Sequence, residues 1–201
     1  MLIRREVIAL MAALPFGLAA RARALSAADA ATAFLKTTGD KLVAVVNGPM
    51  SDEERREALT TVIDSAVDVA GVARFCLGRF WRTATPEQQQ QYLTLFHGVL
   101  VRNIEAKLGE YRGVRFTVGR TQDRDEGELV FTVIERPNNP PANVQWLIAD
   151  ALTAPRIIDV IAEGTSLRVT QREDYSSFLT HNGYSIASLL QAMHQQISQS
   201  G

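Results

Sequence analysis

The chain of 201 residues contains a single cysteine, Cys76. An intramolecular disulfide is therefore impossible, and packing alone must hold the fold. Cys76 sits in a helical apolar pattern, which reads as a buried inert thiol rather than a nucleophile. Histidine is almost as scarce: His97, His181 and His194 are the only three. None stands at metal-ligand spacing from another donor, and no HExxH or CxxC occurs, so no structural or catalytic metal is expected. GxSxG, Walker and GxGxxG motifs are missing as well. Ser166 follows Gly164 without a second glycine, which reads as a cap or turn hydroxyl. Excess charge of one sign is also lacking, the formal net charge being −1. That balance argues against nucleic-acid binding, which needs clustered Lys and Arg to neutralise phosphates.

No apolar run is long enough to span a bilayer. Val7 to Ala20 is apolar over about 14 residues, short of the ~20 a membrane helix needs. With Arg4 and Arg5 before it and Ala22-Arg23-Ala24 after it, the segment reads as a secretory signal, cleaved before Leu25. General secretion fits better than twin-arginine export, because the residues flanking Arg4-Arg5 match that motif poorly. Removing residues 1–24 takes Lys+Arg from 21 to 17 and Asp+Glu from 22 to 21, a mature net charge of −4. No cysteine lies at the cleavage site to carry a lipid anchor, so the expected product is one soluble domain, residues 25–201.

What is present is punctuation. Ser26 with Asp29, Ser51 with Glu54, and Thr85 with Pro86 and Gln88 each mark a helix start. Asp68 looks like the cap of a short helix ending near Gly78. Behind Thr85, residues Tyr92, Leu95, Phe96, Val99, Leu100, Ile104 and Leu108 recur at 3.6-residue spacing. The period then changes. Val114 to Val118, Glu128 to Arg136, Asn143 to Asp150 and Arg156 to Ala162 read as four strands. Short turn-rich segments join them, which implies an antiparallel meander. Two further helices, about Thr170 to Asn182 and about Ser185 to Ser198, close the chain.

An antiparallel sheet with one wet face alternates apolar and polar residues. Leu129-Val130-Phe131, Trp146-Leu147-Ile148 and Ile157-Ile158 with Val160-Ile161 do not. Both faces must be covered, either by helices on each side or by helices on one side with an apolar ligand between. Asp159 lies inside the last of these strands. An unpaired charge there is costly, so it pairs with an arginine, points to solvent at an edge, or serves as a buried general base. Arg74, Arg79 and Arg82 surround Phe80 and Trp81. Such a grouping either anchors an elbow between helices or holds a phosphate headgroup at the rim of an apolar pocket.

The ordered series Asp68, Leu77-Gly78, Phe80-Trp81-Arg82, Thr85-Pro86-Glu87-Gln88, Phe96, Tyr111, Gly113, Asp159-Val160, Glu163-Gly164-Thr165-Ser166-Leu167, Arg172, Tyr175, Phe178 and Leu189-Leu190 resembles the MlaC family. These are periplasmic lipid carriers, also called toluene-tolerance auxiliary proteins. The likeness spans about Asp64 to Leu190. Asn103 departs from it where many members place tyrosine, and so does Ala154-Pro155-Arg156 where a tryptophan-lysine strand start is common.

The resemblance implies an α+β domain, a twisted antiparallel sheet of about four strands wrapped by helices, with a lipid pocket between them. It implies no enzyme activity, no cofactor and no metal. Implied partners are phospholipid with buried acyl tails, an outer-membrane MlaA-type lipoprotein complex, and an inner-membrane MlaD-type component of an ABC transporter. The expected lining draws Phe131, Val133, Trp146, Ile148, Ile158 and Val160 from the strands. From the helices it draws Phe75, Trp81, Phe96, Leu100 and Ile104, with Leu167, Tyr175 and Phe178 closing one side. Arg79 and Arg82 are the expected headgroup or partner residues. A hopanoid-related carrier of the same family, an isomerase-like or hydrolase-like enzyme using Asp159, and an adaptor that carries no lipid are the rival readings.

Overall fold

Asp125 and Glu126 alone separate β1 (Arg115–Arg124) from β2 (Gly127–Glu135), and that two-residue turn sets the topology. β3 (Ala142–Ala149), β4 (Arg156–Ala162) and β5 (Thr165–Ser166) follow through short loops, each antiparallel to its predecessor. The sheet order is β1-β2-β3-β4-β5. The fold is a computed structural model describing residues 26–198; the proposed signal segment, residues 1–24, lies outside that range.

Among the described residues four α-helices precede the sheet, the first three being α1 (Ala27–Asn47), α2 (Asp52–Ala66) and α3 (Val69–Leu77). Gly78 ends α3 at φ +58°, a backbone conformation that suits glycine. A 3-10 turn, Gly78–Arg82, leads to α4 (Pro86–Glu105). Both expected capping boxes form: Ser51 with Glu54, and Thr85 with Gln88. A second 3-10 turn, Leu108–Tyr111, precedes β1. α5 (Leu167–His181) and α6 (Ile186–Ser198) follow the sheet. Among the described residues, no helix is long and apolar enough to cross a membrane.

The structure departs from the sequence reading at the end of β1, at the start of α5 and by one added strand, and α4 stops at Glu105, short of the periodic Leu108. β1 runs on to Arg124 rather than stopping near Val118, because a register break between Val118 and Thr121 absorbs Gly119-Arg120 and pairing resumes. α5 starts at Leu167 rather than near Thr170, because Ser166 caps it by accepting from the Val169 N–H. The same residue pairs with Ile161, adding a short fifth strand to the expected four.

α1 packs on β1 and β2, and the α2–α3 junction docks on β4 through Asp68 N–H to Ile157 O, 3.0 Å. The apolar interior forms three clusters. One lies between the sheet and α1 and holds Ala31, Leu35, Ala66, Val130, Ile148 and Ile157. A second joins Val45 and Val46 of α1, Leu59, Val62 and Ile63 of α2, and Val101 of α4 with Leu108 and Val114. A third fills the elbow between α3, α4, α5 and α6, around Cys76, Leu77, Phe80, Tyr92, Phe96 and Tyr175.

Candidate functional site

Strand pairing decides which side chains share a face. Val130 opposes Trp146, and Trp146 opposes Val160, so these three point the same way. They meet Ile148, which is fully buried, and the α1 side chains Phe34 and Leu35. Phe116 of β1 lies edge-on to Trp146, with centroids 6.3 Å apart and planes at 76°. The Trp146 indole N–H donates to Thr132 Oγ1 at 2.9 Å, and Thr132 donates in turn to Val144 O at 2.8 Å. Every polar atom of this pair is thus satisfied inside an apolar wall.

Phe131 opposes Gln145 and Val133 opposes Asn143 on the other face. There Arg120 lies 4.1 Å above the Phe131 ring. The expectation that Phe131, Val133, Trp146, Ile148, Ile158 and Val160 surround one space is therefore divided by the pleat. Trp146, Ile148 and Val160 come together; Phe131 and Val133 lie behind them. Ile158 sits half-buried at the break in the β3–β4 register. On the helical side, Leu100 and Ile104 pack against the second cluster. Phe75, Trp81, Phe96, Tyr175 and Phe178 gather in the elbow cluster. Leu167, at the start of α5, is 51% exposed.

The elbow is an aromatic lattice. Tyr92 contacts Trp81, Phe96 and Tyr175 with ring centroids 5.9–6.4 Å apart. Its hydroxyl donates to Ala73 O at 2.9 Å. Burial raises the Tyr92 and Tyr175 phenols above their ordinary range. Burial likewise pushes the Cys76 thiol up to about 12, which makes it a poor nucleophile at neutral pH. The arginines singled out in the sequence decorate this elbow: Arg74 lies 5.3 Å from the Trp81 ring and Arg79 lies 4.8 Å from Phe80. Arg82 ends the 3-10 turn, exposed.

Asp159 is buried and fully engaged. Oδ1 accepts from the Val160 and Arg168 N–H groups at 2.8 and 3.2 Å, and Oδ2 accepts from Ser166 Oγ at 2.6 Å. Arg168 Nε lies 3.4 Å from Oδ2. Arg168 also forks onto Glu126 and stacks 4.4 Å from Phe75. Ser166 is both the cap of α5 and a donor to Asp159, so its hydroxyl has no free role. His97, which the sequence left without a partner, lies 2.7 Å from Asp64 Oδ1 and ties α4 to α2. Among the described residues, no group of three or more His, Cys, Asp or Glu could hold a metal ion.

One constellation escaped the sequence reading. A cleft of about 480 Å³ opens between the start of α2, the end of α4 and the Leu108–Tyr111 turn. Four arginines line it, Arg55, Arg56, Arg102 and Arg112, against the carboxylates Asp52 and Glu105. Val46 and Leu108 also line it, and both belong to the second apolar cluster. Arg55 and Arg56 are adjacent, but Arg102 and Arg112 come from later in the chain, so no single local motif announces the four.

Helices laid on an open antiparallel meander, with one apolar cluster between sheet and α1 and others among the helices, make this an α+β domain. The MlaC protein family matches residues 36–195, and the chain belongs to that family. The fold is also similar to a solved structure of the phospholipid-binding protein from Ralstonia solanacearum in complex with a phospholipid. The two are 22% identical, with a TM-score of 0.72, over 84% of this chain and 97% of that one.

Proposed function

We propose that this protein is a periplasmic carrier of phospholipid, the soluble component of an Mla-type ABC transport system, and not an enzyme. The observation that carries the reading is membership of the MlaC family over residues 36–195. The shared fold with a protein seen in complex with a phospholipid supports it. The carrier receives lipid from, or delivers it to, an MlaA-type complex at the outer membrane and an MlaD-type component at the inner membrane. The segment before Leu25 directs export and is removed.

Each buried methylene is worth ~0.8 kcal/mol relative to water, so two ordinary acyl chains gain on the order of 20 kcal/mol. A carrier must match that benefit by enclosing the tails. The side chains we assign to the tails are Trp146, Ile148 and Val160 of one apolar cluster and Leu100 and Ile104 of another. Tails enter by parting the helices from the sheet. The enzyme rival loses ground at Asp159, whose oxygens are occupied by two backbone N–H groups, a hydroxyl and an arginine.

Native mass spectrometry of the purified protein, followed by lipid extraction, tests the reading. One phospholipid per chain is the expected result. Protein that emerges lipid-free and takes up none from vesicles would sink it in favour of the adaptor.

A further inference from the structure

We infer that the cleft between α2, α4 and the Leu108–Tyr111 turn binds a phosphate group, with Arg102 and Arg112 as its ligands. The inference deepens the phospholipid reading and rests on it for the identity of the lipid, though not for the anion chemistry of the cleft.

The four arginines are not equivalent. Arg55 is committed to the end of α1 and its following loop, donating to Val45 O, Gly48 O and Met50 O, and to Asp52 Oδ1 at 3.1 Å. It is a fixed charge that shapes the cleft. Arg56 is shared between Glu105 and Glu53, at 2.9 and 3.1 Å. Arg102 and Arg112 have no ion pair among the described residues, and Arg102 Nε is buried without a hydrogen-bond partner. An oxyanion in the cleft pairs with these two guanidinium groups, which line it without an ion pair and match phosphate oxygens two at a time. The two cleft carboxylates do not oppose this, because Asp52 and Glu105 are already held by Arg55 and Arg56.

Val46 and Leu108 line the cleft beside the arginines and belong to the cluster that Leu100 and Ile104 pack against. A cleft with both charged and apolar walls suits an amphiphile whose phosphate stays outside while its tails go in. Inorganic phosphate could occupy the charged wall alone. The shared chemistry is the phosphate oxyanion, and the source is decided by experiment. Asn103, where the family pattern has tyrosine, lines the same cleft and accepts from Gln196 at 3.2 Å, adding polar wall rather than ring.

The test uses the purified full chain with three probes: dioctanoyl phosphatidylglycerol, dioctanoylglycerol and inorganic phosphate. The phosphate-bearing lipid is expected to bind about tenfold or more tightly than the glyceride with the same tails, since each charge-assisted contact contributes at this level. Arg102→Gln with Arg112→Gln removes that preference and leaves glyceride binding unchanged. Arg112 is exposed, so Arg112→Gln alone keeps the test valid if the double variant unfolds. Inorganic phosphate that competes with the lipid, and does so only through these arginines, identifies the headgroup as the natural source. Inorganic phosphate binding that depends on the arginines, with a lipid preference that does not, makes the cleft a free-phosphate site. A lipid preference unchanged in both variants, with no arginine-dependent phosphate binding, overturns the inference while the carrier reading stands. Phosphate bound without either lipid overturns the carrier reading instead, and no binding of any probe overturns both.

Discussion

Asp159 and Arg168 face each other at 3.4 Å with side chains only 4% and 12% exposed. They clamp β4 to the first turn of α5, and Arg168 reaches on to the β1–β2 turn through Glu126. Breaking a buried pair by removing one partner typically costs ~3–5 kcal/mol. Asp159→Ala is expected to lower stability by about 3 kcal/mol in urea unfolding. A variant as stable as the parent would show that the pair does not clamp the two elements.

The tail wall is tested by charge. Ile148→Asp and Leu100→Glu each place an unpaired carboxylate among apolar groups, which is strongly unfavourable beside hydrocarbon. Both are expected to abolish lipid co-purification. Ile148 is fully buried and Leu100 only partly so, so Leu100→Glu is the variant expected to stay folded. Circular dichroism must accompany each. A well-folded Leu100→Glu protein carrying a full complement of phospholipid would contradict this lining.

Ser166→Ala should separate stability from binding. Loss of the α5 cap costs ~1 kcal/mol, and the Asp159 hydroxyl contact is lost with it. Lipid binding is expected to stay within twofold of the parent. His97→Ala should behave likewise, since its partner Asp64 is a surface carboxylate. A tenfold loss of lipid in either variant would give that residue a role beyond packing.

Alkaline pH should loosen the elbow. Burial pushes the Cys76 thiol of the folded chain up to about 12, above the value near 8.5 of an unfolded chain. Tyr92 and Tyr175 are raised for the same reason. Above their ordinary values the unfolded chain has released these protons and the folded chain has not. Stability is therefore complete below about pH 8.5 and falls as pH rises beyond it. A denaturant midpoint that rises between pH 8 and 10.5 would be the wrong sign. In the native protein at pH 8, Cys76 should resist thiol reagents and become reactive only on unfolding.

Gly39 sets two effects against each other. A β-carbon there would stand 2.5 Å from the Phe116 ring. Alanine gains ~1 kcal/mol of helix propensity, but displacing a packed ring costs ~1–3 kcal/mol. Gly39→Ala is expected to be destabilising by about 1 kcal/mol, and neutral or stabilising in a Phe116→Leu background. Thermal unfolding of the double-mutant cycle reads this directly.

The helix starts were legible because each is a local chemical event. Ser26, Ser51, Asp68 and Thr85 all cap where the sequence places them. The strands were legible as a meander because their connecting turns are short. Which face each strand residue takes was not, because side chains on both faces are apolar and a one-residue slip exchanges them. The opposed placement of Trp146 and Phe131 is the result. The start of α5 was placed near Thr170, although Ser166 already read as a cap or turn hydroxyl; the exposed Leu167 and Val169 give its first turn no buried apolar face. The arginine cleft was invisible because α2, α4 and the turn before β1 must pack before Arg55, Arg56, Arg102 and Arg112 become neighbours.

Because each strand pairs with the one before it in the chain, the sheet can be assembled from hairpins, whose short loops lose little closure entropy. α1 is in the opposite position. Its Thr32 meets Thr121 of β1, 89 residues later. As the chain emerges in order, α1 comes first and finds its docking surface only after β1 and β2 have followed. Over that interval Leu35 and its neighbours stay without their strand partners. Distant docking of this kind leaves apolar surface open for longer than the fast local hairpins would suggest.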